Sequence, residues 1–114
     1  MNTVILLILK VAVSLSFFAA GIAKLAKAKP LVEQFHDFRL PPEIMYFIGV
    51  VEILGAIAIW FDALTVWALS GLACLMLGAL KRHAVARHPP RSLLPAALLF
   101  VLCFSAILLV NWLG

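Results

Sequence analysis

The chain has 114 residues, of which 66% are hydrophobic and only 12% charged, with a mean hydropathy of +1.17. Soluble domains run nearer half apolar and a quarter charged, so these values exclude an ordinary water-soluble fold and define an integral membrane protein whose surroundings are a lipid bilayer. The net charge of +4 and the pI near 9.5 do not point to nucleic acid, because the basic residues fall in two short connectors where they set topology.

The first apolar run begins at Thr3 with no basic region before it. It lasts about twenty residues, longer than the core of a signal peptide, and lacks a small-residue cleavage site followed by polar sequence. It reads as a retained helix over about 3–23. The helix is expected to continue through Lys24, Lys27 and Lys29, whose stems would reach the lipid phosphates, until Pro30 ends it. Between Pro30 and Pro41-Pro42, the residues Leu31, Val32, Phe35 and Phe38 fall at i, i+1, i+4 and i+7. That spacing predicts one apolar face of a short amphipathic helix lying on the membrane surface.

A second span is expected over about 43–61, a third over about 63–80 with Asp62 as its N-cap, and a fourth over about 93–113. Lys81 to Ser92 forms a basic, proline-broken connector. The predicted architecture is a single all-α domain over residues 1–114: a four-helix transmembrane bundle with a short interfacial helix between its first and second spans. One side of the membrane would hold Lys24, Lys27, Lys29, Arg39, Lys81, Arg82, Arg87 and Arg91, and the other no Lys or Arg. The positive-inside rule then places the basic connectors in the cytoplasm and both termini outside, as expected of a bacterial inner-membrane protein. Trp60, Trp67 and Trp112 would sit near the exterior face, where an aromatic belt forms.

From Met45 to Phe61 the only charged residue is Glu52. A carboxylate at such a depth costs about 2.5–3.5 kcal/mol on translocon scales, so it needs a partner. Its neighbours on the helix are Gly49, Gly55 and Ala56, a groove of small residues that another helix can approach. The other charge inside an apolar run is Lys10, which shares a stripe with Ser14, Phe17, Gly21 and Lys24. Counting 1.5 Å per residue from the exterior ends puts Lys10 and Glu52 at about the same depth, roughly 10–13 Å down, and predicts a Lys10–Glu52 ion pair. Two plainer readings stand beside it. Lys10 could snorkel to the exterior alone while a protonated Glu52 donates to a backbone carbonyl, or the pair could be a packing register with no chemistry.

Cys74 and Cys103 lie in apolar runs with no Cys-x-x-Cys, which argues against a membrane dithiol oxidoreductase and reads as two small buried hydrophobes. His36, His83 and His88 sit in or beside the basic connectors without the spacing of a metal site, and are expected at solvent or headgroup level. His83 and Lys24 are the candidate contacts to a lipid headgroup or ligand. The chain carries no nucleophile elbow, phosphate loop, haem-attachment sequence or dinucleotide fingerprint. No catalytic residue is therefore assigned, and a redox cofactor would be held noncovalently or by a partner. Ala12, Ser16 and Ala20, and Ala68, Gly71 and Gly78, read as helix-packing surfaces, within the chain or at a dimer seam.

Lys10, the segment Phe17 to Leu25 ending Ala-Gly-x-x-Lys-Leu, Leu40-Pro41-Pro42, the segment Gly49 to Ala56 around Glu52, and Met76-Leu77-Gly78-Ala79 together resemble the DoxX-like family of small four-helix membrane proteins. The likeness covers nearly the whole chain. It implies a basic residue, often arginine, at Lys10, the characteristic acid at Glu52, and a histidine such as His83 near the end of the third helix. A lysine at position 10 departs from that pattern and weakens bidentate pairing. Such relatives include membrane subunits of thiosulfate:quinone oxidoreductases, components of oxidative-stress complexes and a distant animal chaperone for nicotinic receptor assembly. The resemblance implies a small membrane subunit of a quinone-linked redox or oxidative-stress complex. The alternatives are a noncatalytic scaffold or assembly chaperone working with itself as a homo-oligomer or with another membrane protein, and a small proton-coupled dimeric transporter.

Overall fold

The computed structural model describes residues 2–88 and 90–113, and of Asn2, Ser92 and Leu113 only the backbone. Among these residues the structure consists of helices and turns: α1 is Asn2–Leu25, α2 Lys29–Asp37, α3 Pro42–Ala58, α4 Thr65–Val85 and α5 Pro90–Leu113. Three of the helices, α1, α4 and α5, are long and apolar enough to cross a membrane. The 17-residue α3 meets the short α2 at a bend of 119°, and the two together pass the same test as one broken span.

Local chemistry sets the breaks, and several fall away from their expected places. The first helix stops at Leu25, where Lys27 takes a left-handed φ of 59° and the Ala28 amide donates back to the Ala23 carbonyl at 3.0 Å. This is a Schellman turn. Helices α2 and α4 close the same way, with Arg39 and Arg87 left-handed and the amides of Leu40 and His88 donating to the carbonyls of Phe35 and His83 at 3.1 and 3.0 Å. A side chain in that conformation costs about 1–2 kcal/mol. A cation at the negative end of the helix dipole offsets part of the cost.

Pro30, expected to end the first helix, instead lies in the first turn of α2, where its missing N–H is no loss. Asp62 does not cap the next long helix. That helix begins at Thr65, whose hydroxyl donates to the carbonyls of Ile59 at 2.8 Å and Phe61 at 3.2 Å, tying down the turn from the helix side. It then runs past the expected end at Leu80 to Val85, and α5 starts at Pro90 rather than Leu93. Pro89, the other proline expected to break this connector, lies outside the described residues.

The closest packing is between α1 and α3, which run antiparallel. A Cβ added to Gly21 would lie 2.6 Å from the Gly49 carbonyl oxygen, and one added to Gly49 would lie 3.0 Å from that of Gly21. The two backbones touch because neither residue has a side chain. That approach lets the Ser14 hydroxyl donate to the Ala56 carbonyl at 2.8 Å while accepting from the Trp60 indole at 3.0 Å. The stripe from Lys10 to Lys24 is thus the face of α1 that meets α3, whereas Ser16 is exposed. Helix α5 adds Ala96, Cys103 and Ala106 to the core. Leu15, Phe47, Trp67 and Trp112 project outward, the arrangement of a helix bundle bathed in lipid.

Candidate functional site

Glu52 is 1% exposed, the most buried charged residue among those described. It lies on the buried seam of α3 with Met45, Gly49 and Ala56. Its partner is Lys24, whose Nζ stands 2.7 Å from Oε1, and not Lys10. Lys10 instead holds its ammonium 5.9 Å from the centre of the Trp60 ring, a cation–π contact at the other end of the helix pair. The expected pairing failed on register and on direction. Aligned ends would set Thr3 against Phe61, but the Gly21–Gly49 contact sets Ser14 against Ala56, a slip of about six residues or 9 Å. Side chains also lean toward the N-terminus of their own helix. In an antiparallel pair Lys24 and Glu52 therefore lean toward each other, and Lys10 leans away.

The Lys24 ammonium is the close partner of Glu52 Oε1, and no other donor among the described residues reaches that oxygen. The small residues around Glu52 serve different neighbours. Gly49 and Ala56 meet α1, while a Cβ on Gly55 would lie 2.9 Å from Leu72 of α4.

Toward the α2 end the third and fourth helices part, leaving a cavity of about 490 Å³. Lys24 and Glu52 lie in its wall, with Gln34, Arg82 and His83, and its apolar surface comes from Phe35, Phe38, Ile44, Ile48, Leu75 and Met76. Gly71 and Gly78 border it with open space where a Cβ would be. Helix α2 closes one side through a cluster of Phe35, Phe38 and Met45. Cys74 lines this cavity and is exposed, contrary to its reading as a buried hydrophobe; Cys103 is buried as expected.

His83 is also buried, at 5% exposure, rather than solvated. Its Nδ1 is 2.8 Å from Nδ1 of His88, and Nε2 of His88 is 3.2 Å from the Asp37 carboxylate. The Phe38 ring packs edge-on against His83 at 5.0 Å and lies 5.5 Å from His88. These three polar residues form a row rather than a cluster about one point, and no group of three metal-ligating side chains occurs among the described residues.

The sequence singles out Glu52, Lys24 and His83 one by one but not the cavity they share, nor the neighbouring Gln34, Arg82, His88 and Asp37. The signal for His88 was present. Two prolines follow it, which marks a helix end, and a Schellman turn folds the residue five places on back over the last turn. Asp37 comes from a distant element and carried no such signal.

A bundle of long apolar helices with a buried ion pair in the wall of a cleft between them defines a helical membrane protein. The chain belongs to the DoxX-like family, whose sequence model matches residues 8–105. No curated protein sequence and no solved structure matches it.

Proposed function

We propose that this DoxX-like protein is a small membrane subunit of a quinone-linked redox or oxidative-stress complex, and that the cavity between α2, α3 and α4 holds the quinone headgroup. The observation that carries this reading is the buried Glu52 carboxylate, paired with Lys24 at 2.7 Å, in the wall of a cavity of about 490 Å³. Cavities of about 300–1,000 Å³ with apolar walls and a few converging polar groups are the usual form of small-molecule sites.

A bound quinone supplies a couple of two electrons and two protons. The chain supplies the rest. Lys24, Arg82 and Gln34 are donors for headgroup oxygens, and Glu52 is a carboxylate able to hold a proton where water is scarce. Phe35, Phe38, Ile48 and Leu75 offer flat apolar surface to a ring. Native mass spectrometry of the protein released from its own membranes in mild detergent tests the reading. A retained quinone, lost in Glu52→Gln, is the expected result; a bare protein, or equal retention by the variant, would refute it.

We further propose four spans, with α3 as the second and α2 at the membrane surface. The end bearing α2 faces the bacterial cytoplasm, because every Lys and Arg except Lys10 falls toward that end in the sequence. A C-terminal alkaline phosphatase fusion should then be active and the matching green fluorescent protein fusion dark; the reverse would overturn the orientation.

One observation favours an assembly role alongside. The cavity is open beside Gly71 and Gly78, where nothing lies within 4 Å of an added Cβ, so a helix of another subunit or second copy could close the same opening. Mild crosslinking should recover one stoichiometric membrane partner, and its absence would end this reading.

A further inference from the structure

We propose that Asp37, His88 and His83 form a proton path joining the protein surface to the cavity. The inference deepens the quinone reading and rests on it for the identity of the cavity's ligand. The row is graded in exposure: the side chain of Asp37 is 57% exposed and that of His88 16%, while His83 is 5% exposed and lines the cavity. A chain of polar groups running from water to a largely apolar recess is the arrangement that moving a proton requires.

The direction of each hydrogen bond follows from chemistry. An ionised carboxylate can only accept, so Nε2 of His88 donates to Asp37 across the 3.2 Å contact. A neutral imidazole has one N–H, so Nδ1 of His88 must then accept, and Nδ1 of His83 donates across the 2.8 Å contact. The proton of His83 is thereby fixed on Nδ1. Its Nε2 is then the unprotonated nitrogen of the ring.

One added proton reverses the arrangement. When a proton enters at His83 Nε2 from the cavity, the Nδ1–H of His83 passes to Nδ1 of His88. The Nε2–H of His88 passes to the Asp37 carboxylate, and Asp37 releases its proton to water. Three N–H or O–H bonds break and three form inside the row, and one proton crosses with no net change of charge. Run backwards, the same steps deliver a proton from water to the cavity. A doubly protonated His88 marks the midpoint: it donates to both neighbours, and His83 then carries its proton on Nε2.

The surroundings keep the row intact and isolated. Phe38 packs against both rings, perpendicular to His83 at 5.0 Å and tilted against His88 at 5.5 Å. The charged groups sharing the cavity with His83 are Lys24 of α1, Glu52 of α3 and Arg82 of its own helix. The last turn of α4 and its Schellman closure, in which the His88 amide donates to the His83 carbonyl, hold the two rings together.

The test uses the full chain in lipid nanodiscs with ¹⁵N-labelled histidine and His36→Gln, so that only His83 and His88 report. At neutral pH and without quinone, the expected spectrum shows nitrogen–nitrogen coupling across the Nδ1–Nδ1 bond, a bare Nε2 on His83 and a protonated Nε2 on His88. A His83 protonated on Nε2 with no coupling would overturn the proposal. Exchange of the His83 proton with water should slow by about 100-fold in His88→Phe, the lower range of what one positioned proton-transfer group contributes; an unchanged rate would also overturn it. Should that variant not fold, Asp37→Asn at the exposed end removes the fixed direction, and both tautomers of His83 should appear; a single unchanged tautomer counts against the path. Titration with ubiquinone-1 then separates the two ideas: no shift at His83 refutes the quinone reading while the coupling and exchange results stand.

Discussion

The burial of Glu52 is tolerable only because Lys24 reaches it, and its energetics differ from those of a surface pair. Removing one partner of a buried ion pair leaves the other charge without compensation, at a cost of about 3–5 kcal/mol, whereas removing both is often close to neutral. Lys24→Met or Glu52→Gln alone should lower stability in detergent unfolding by about 3 kcal/mol or more, and the double variant should recover most of the loss. Lys10→Met combined with Glu52→Gln should instead be additive. Coupling of Glu52 to Lys10 rather than Lys24 would refute the register described above.

That register belongs to the helix pair. Gly21 and Gly49 bring two backbones into contact, and the hydrogen bond from Ser14 to Ala56 follows from the same approach. A methyl group at Gly21 must push against a carbonyl oxygen, which cannot move aside as a flexible side chain would. Gly21→Ala is expected to destabilise the bundle by about 1–3 kcal/mol. Gly78→Ala, in open space, should be neutral or stabilising by up to about 1 kcal/mol through helix propensity. Thermal unfolding of the two variants side by side checks this, and equal behaviour would show that the close approach does not set the packing. The small-residue pattern was legible in the sequence, and so was the face of α1 that meets α3. The register was not, because it depends on which glycine meets which, and end-to-end depth counting could not supply that.

For the molecule as a whole, apolar run length and proline position made the all-helical class and most element centres legible. Element ends were less so. Three helices close on left-handed basic residues with no glycine to mark them, and α4 runs on through charged residues that look like a connector. The cavity was the least legible feature, since it joins Lys24 of α1, Gln34 of α2, Glu52 of α3 and His83 of α4, which no sequence window contains together. It is nevertheless where the ion pair, the histidine row and an apolar recess meet, and the functional account depends on it. The most direct test is photolabelling with an azido-ubiquinone in native membranes, followed by peptide mapping. The account predicts label on the α3 segment around Glu52 and the α4 segment from Cys74 to His83, suppressed by excess ubiquinone-1. Label spread over the outward faces of α1 and α5, or undiminished by the competitor, would contradict it.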